Sequence, residues 1–152
     1  MADGVEVQFT PRDLMRRMRQ YPTKLDKVLK ETNKASLLTL WEKVPAYPRR
    51  PNSRYKRTGT LGRSLGASKS GGKIGQPDIL SQKKLGTSGY EGAFGSNLSY
   101  AADVIGEGTQ KPIHQGIWWT ITTVLKRARA KIVRLHETTA EEMTAFLDGK
   151  GT

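Results

Sequence analysis

Five cations, Arg49, Arg50, Arg54, Lys56 and Arg57, fall within nine residues of a stretch that also holds Pro45, Pro48, Pro51, Tyr47 and Tyr55. The chemistry open to such a stretch is binding rather than bond-breaking. Guanidinium and ammonium groups neutralise phosphates, and aromatic rings set between them can stack on the bases of a single strand. The same composition suits an arm laid on a neighbouring protein subunit, and it also suits a loop that is merely solvated. The prolines remove backbone donors and disfavour helix in the residues before them. Residues 45–59 are therefore expected as an extended, exposed basic loop whose contacts are with a subunit or with DNA.

Reaction chemistry finds little support. Gly66 to Gly72 has part of the form of a phosphate loop, but Gly72 stands where the lysine belongs and no strong strand precedes it. Gly106-Glu107-Gly108 lacks the third glycine and the strand–helix setting of a dinucleotide site. Asp103 and Glu107 could serve as a carboxylate pair only if the fold turned them together, and four residues apart in a strand-to-turn region they read as surface charges. Serine, histidine and aspartate all occur without a nucleophile-elbow pattern. Cysteine is absent and the histidines are only His114 and His136, so no thiolate or multi-histidine metal site is expected. The expectation is no catalytic residue, no cofactor and no metal.

Charge is the strongest compositional signal. Lys and Arg number 26 against 14 Asp and Glu, a formal +12 over 152 residues. Such an excess attracts nucleic acid, an anionic surface or an acidic protein, without choosing among them. No apolar run approaches the roughly 20 residues needed to cross a bilayer, and the first residues lack the pattern of a secretory signal. A soluble intracellular product without a membrane partner is expected.

The elements that must position these groups follow from periodicity. Between Ile117 and Leu135, the residues Trp118, Ile121, Leu125, Ala128, Ile132 and Leu135 recur at steps of three and four, which predicts an amphipathic helix. Its other face carries Lys126, Arg127, Arg129, Lys131 and Arg134. Thr138-Thr139-Ala140-Glu141 has the form of a capping box, and Glu141 and Glu142 suit a helix start. A kink or break is expected near Glu137–Thr139.

At the other end, Thr10, Pro11 and Asp13 are a helix-start signal. Leu14, Met15 and Met18 lie on an apolar side with Arg12, Arg16, Arg17 and Arg19 outside. Pro22 should end or kink this helix at Tyr21. A second helical segment from Thr23 to Val44 then carries Leu25, Val28, Leu29, Ala35, Leu38 and Trp41. Leu61 to Lys69 alternates weakly, as a strand would. Ser70 to Gly89 reads as a Gly/Ser/Lys-rich excursion. Tyr90 to Ser96 and Leu98 to Ile105 read as two short strands joined near Gly95–Asn97. The expected architecture is α+β. N-terminal helices and a long C-terminal helix pack on a small antiparallel sheet in one domain spanning residues 1–152.

Two segments, Arg57-Thr58-Gly59-Thr60-Leu61-Gly62-Arg63-Ser64-Leu65 and Ser96 to Thr109 (SNLSYAADVIGEGT), carry a likeness. They resemble the small neck or tail-completion proteins of long-tailed bacteriophages, the head–tail joining and minor tail components. In that family a TG-x-L-x-x-S segment enters a strand, and a Tyr-Ala strand then runs to an acid, a Gly-Thr turn and a helix. The matching residues are Thr58, Gly59, Leu61, Ser64, Tyr100, Ala101, Val104, Glu107, Gly108 and Thr109, and the order of elements agrees from about Pro11 to Leu135. The resemblance implies a structural virion protein, one protomer of a homo-oligomeric ring between head and tail, without enzymatic activity. It implies copies of the same chain and neighbouring neck, connector or tail proteins as partners, with DNA in the ring lumen as a further one. The implied location is the virion, after assembly in the host cytoplasm. The rival reading is a stand-alone basic nucleic-acid-binding module.

Overall fold

In a computed structural model, residues 11–46, 48, 59–67, 73, 75–87 and 89–150 are described. The elements are α1 (Pro11–Lys43), α2 (Thr60–Ser64), β1 (Ile79–Leu85), β2 (Gly89–Gly95), α3 (Ala101–Ile105), a 3-10 turn (Pro112–His114) and α4 (Ile121–Leu147). The class is α+β, with two long helices and a two-stranded antiparallel hairpin.

Helix α1 forms the spine and is one helix of 33 residues. Pro22 does not stop it. A proline inside a helix forfeits one hydrogen bond and crowds the preceding turn, at about 3 kcal/mol, and packing on two sides of α1 offsets that loss. One side meets α4, which runs antiparallel. Lys24 lies 4.5 Å from the centre of the Phe146 ring, Thr32 meets Thr139, and Lys131 reaches Glu42. The second side meets the hairpin through Asp26, Asn33 and Leu37. Local sequence favoured a stop; contacts beginning just beyond the proline override it.

Helix α4 is likewise unbroken from Ile121 to Leu147, so the expected break near Glu137–Thr139 is absent. Thr139 interrupts the apolar stripe only in polarity. It is 8% exposed, and its hydroxyl donates to the Leu135 carbonyl at 2.9 Å, one turn back. The helix starts later than its periodicity predicted, and Trp118 is buried ahead of it. The buried positions are Val124, Ala128, Thr139 and Met143. Leu125, expected on the inner stripe, is instead 48% exposed.

The hairpin pairs Ile79–Leu85 with Gly89–Gly95, with Leu80 opposite Phe94 and Lys84 opposite Tyr90. The expected strand pair thus shifts toward the N-terminus, and β1 lies inside the predicted excursion. Residues Ala101–Ile105 are helical rather than extended, in keeping with the paired alanines of Ala-Ala-Asp-Val-Ile. Thr60–Ser64 is also helical where a strand was expected. The β-character of β1 was hidden because its Lys84 is on the face turned to α1, where Asp26 receives it.

The apolar core gathers at the C-terminal end of α1 and the N-terminal end of α4. Val44, Leu61, Leu65, Ala67, Ala101, Val104, Ile105, Trp118 and Val124 form it, with Phe94, Leu98, Ile117 and Trp119 packed around them. Leu65 is fully buried, which stabilises by about 2 kcal/mol. Away from this cluster, the α1–α4 seam is lined by hydroxyls as much as by hydrocarbon. Thr32, Ser36 and Thr39 are all buried, and each donates to the carbonyl one turn back at 2.9 Å.

Candidate functional site

The residues expected to make subunit or DNA contacts, Tyr47, Arg49, Arg50, Arg54, Tyr55, Lys56 and Arg57, lie outside the described residues, as does Thr58. The other motif positions are described, and the fold brings most of them together. Gly59, with φ 75°, leads into α2. Leu61 and Ser64 of α2 are buried, as are Ala101 and Val104 of α3. Leu61, Ala101 and Val104 belong to the same apolar cluster.

The two segments are also joined by a directed chain of hydrogen bonds. The Leu98 amide donates to Ser96 Oγ at 3.2 Å, and Ser96 Oγ lies 2.6 Å from Ser64 Oγ. Ser64 Oγ donates to the Leu61 carbonyl at 2.8 Å. Each hydroxyl has one proton. With the Ser64 proton committed to Leu61, Ser96 is the donor in the hydroxyl pair.

The Gly-Thr turn after α3 is built for support. Thr109 Oγ1 donates to the Ala102 carbonyl at 2.8 Å, and a Cβ on Gly106 would run into both groups. Gln110 Nε2 donates to the carbonyls of Val104 (2.7 Å) and Trp118 (3.1 Å), tying α3 to the approach of α4. Asp103 is engaged by Lys111 at 2.6 Å, while Glu107 stays exposed. The pair that could have acted as acid and base is not assembled. Of the motif side chains, Tyr100 (42% exposed) and Glu107 project outward. Among the described residues no group of three His, Cys, Asp or Glu could hold a metal ion, and no helix is long and apolar enough to cross a membrane.

The perturbed ionisations belong to supporting contacts. The hydrogen bond from Lys84 holds the Asp26 carboxyl below the usual aspartate range, helped by Tyr90. Lys84 is raised by the same contact. Desolvation, then the hydrogen bond to Asp26, pushes the Tyr90 hydroxyl up. The Lys131 hydrogen bond lowers Glu42. Lys73 donates to the carbonyls of Trp41 (2.5 Å) and Val44 (3.1 Å) at the end of α1, where a cation also suits the helix dipole. Partial burial lowers its pKa.

What sequence reasoning missed is the outer face of α1. Arg12, Arg16, Arg17 and Arg19 were placed outside; Arg17 is instead only partly exposed, with its Nε buried, and a stop at Pro22 hid the continuation of the other three into Lys27, Lys30 and Lys34. All six are exposed, and the helical phase kept across the proline was the signal. Compared with known proteins, the chain matches no family model, no curated protein and no solved structure.

Proposed function

We propose that this chain is a structural protomer of a ring that joins head to tail in a tailed bacteriophage, acting by assembly and not by catalysis. The observation that carries the reading is the meeting of the two family-like segments. Leu61 and Ser64 from one, and Ser96, Ala101 and Val104 from the other, share a core and a hydrogen-bond chain. Segments 32 residues apart in the chain support each other as parts of one scaffold. Closed rings use heterologous interfaces, in which one patch meets a different patch on the next copy. The basic loop 45–59 is our candidate arm for such an interface.

The rival, a stand-alone basic nucleic-acid-binding module, is favoured by the exposed cations of α1. Electron microscopy of the purified protein, and of particles made without it, separates the two. The ring reading expects annular assemblies and heads without tails. A protein that stays monomeric at all concentrations, together with normally tailed particles, overturns it.

A further inference from the structure

We propose that the outer face of α1 is a binding line for the phosphate backbone of double-stranded DNA. Arg12, Arg16, Arg19, Lys27, Lys30 and Lys34 are all exposed on one unbroken helix. At about 100° per residue they fall within an arc roughly 80° wide, and at 1.5 Å rise they span about 33 Å. One turn of duplex is about 34 Å long. Thr32, which meets α4, lies about 180° from the centre of this arc, so the arc faces away from α4, while the hairpin contacts of Asp26, Asn33 and Leu37 run along one edge of it.

The cations are also only weakly engaged. Arg16 meets Asp13 at 3.4 Å, with both side chains mostly exposed, a pairing worth little. Arg12, Arg19, Lys27, Lys30 and Lys34 form no ion pair among the described residues. Glu31 stands on one flank of the line, and Asp26, whose main partner is Lys84, stands on the other and is also felt by Lys30. Helix α4 offers no equivalent. Its cations Lys126, Arg127, Arg129 and Arg134 spread over roughly 160° of the helix, and Glu137 and Glu141 follow them.

The duplex is favoured over a single strand because the line holds no exposed ring. Of the residues between its cations, Thr23 lies inside the arc and Gln20 and Asp26 lie within about 20° of its edges, and Tyr21 is turned inward and half-buried. Charge without stacking surface recognises a phosphate backbone and not unpaired bases. The inference deepens the ring reading by naming the surface turned to DNA, and it rests on that reading only for where the DNA comes from.

The test uses the full chain and a labelled random-sequence duplex of about two helical turns, titrated by anisotropy over a range of NaCl. Six phosphate contacts give a slope of log affinity against log salt near −5. The triple variant Lys27→Gln, Lys30→Gln, Lys34→Gln should flatten that slope by about 3. Because these side chains are exposed, its thermal melt should match the parent. Lys126→Gln, Arg127→Gln, Arg129→Gln should leave the slope nearly unchanged, as should Arg49→Ser, Arg50→Ser, Arg54→Ser. No duplex binding, an α1 triple with the parental slope, a larger loss from the α4 or loop triple, or tighter binding of an oligo-dT strand would each overturn the proposal. So would an α1 triple that loses self-association while binding duplex normally, since the face would then be a protein contact. Light scattering on the same samples keeps the two readings apart. A monomer that binds duplex through α1 sinks the ring alone, and a ring whose slope ignores α1 sinks this inference alone.

Discussion

The hydroxyl oxygens of Thr32 and Thr139 lie 2.6 Å apart across the α1–α4 seam. Each hydroxyl is also within 2.9 Å of a carbonyl in its own helix, Val28 for Thr32 and Leu135 for Thr139. Two protons must serve three contacts, so one threonine shares its proton between its helix carbonyl and the oxygen across the seam. Replacing either by Val should cost about 1 kcal/mol. The double replacement should cost clearly less than the sum, because the second change removes an oxygen already stripped of its partner. Urea denaturation of the two single variants and the double checks this; simple additivity would mean that the contact carries no coupling.

Adjacent positions on α4 offer a sharp contrast. Val124 is fully buried and Leu125 is 48% exposed. Val124→Asp should leave the chain unfolded, since an unpaired buried carboxylate costs several kcal/mol against a total stability of roughly 5–15 kcal/mol. Leu125→Asp should melt within a few degrees of the parent. A circular-dichroism melt of each is enough, and similar behaviour of the two would misplace the buried face.

Helix continuity through Thr139 makes a separate claim. Amide exchange should show one run of protection from Arg134 through Met143, with no dip at Glu137–Thr139. Thr138→Ala should be close to neutral, because Thr138 is exposed within the helix and caps nothing. A loss near 1 kcal/mol, the usual loss for a removed cap, would restore the broken helix.

The Gly-Thr turn should resist substitution for two different reasons. Gly106 has an ordinary φ of −71°, but an added methyl would collide with Thr109 Oγ1 and the Ala102 carbonyl. Gly106→Ala should therefore destabilise by about 1–3 kcal/mol through overpacking. Gly108 has open space around it and a φ of +73°, so Gly108→Ala should cost about 1–2 kcal/mol through backbone strain. Adding Thr109→Ser should leave the Gly106→Ala loss in place, because the hydroxyl and the Ala102 carbonyl both remain.

Acid should act through Asp26. Its carboxylate sits 2.5 Å from Lys84 Nζ and accepts from Tyr90 Oη at 3.2 Å. Because its pKa is depressed in the fold, its contribution is present above the usual 3.8 and is lost as pH falls through the folded value. Lys84 shifts the other way, so its share is present below the usual 10.5 and is lost as pH rises past the folded value. Stability should be flat between these limits with respect to this pair. Asp26→Asn should soften the fall in melting temperature below about pH 4 and leave other pH values nearly parallel to the parent; an unaltered acid limb would show that the pair is inert.

What the sequence by itself determined is what depends on near neighbours along the chain. The α4 region is amphipathic because apolar residues recur at steps of three and four. The start of α1 follows from Pro11 and Asp13, and most cations of both helices point outward because an unpaired charge cannot be buried cheaply. The α+β class followed from the same patterns. Tertiary structure decided the phase and the extent. Val124 and not Leu125 faces the core because that face of α4 meets the Trp118 and Leu65 cluster, a choice that a one-residue rotation leaves open in the sequence. Pro22 stays helical because α4 and the hairpin hold α1 beyond it. Thr139 stays helical because Thr32, 107 positions away, completes its surroundings. Lys84 of the hairpin meets Asp26, a partner 58 residues distant. Interactions between residues that far apart leave no periodic trace in the chain, so the stop signals at Pro22 and Thr138 could be read locally while the contacts that overrule them could not.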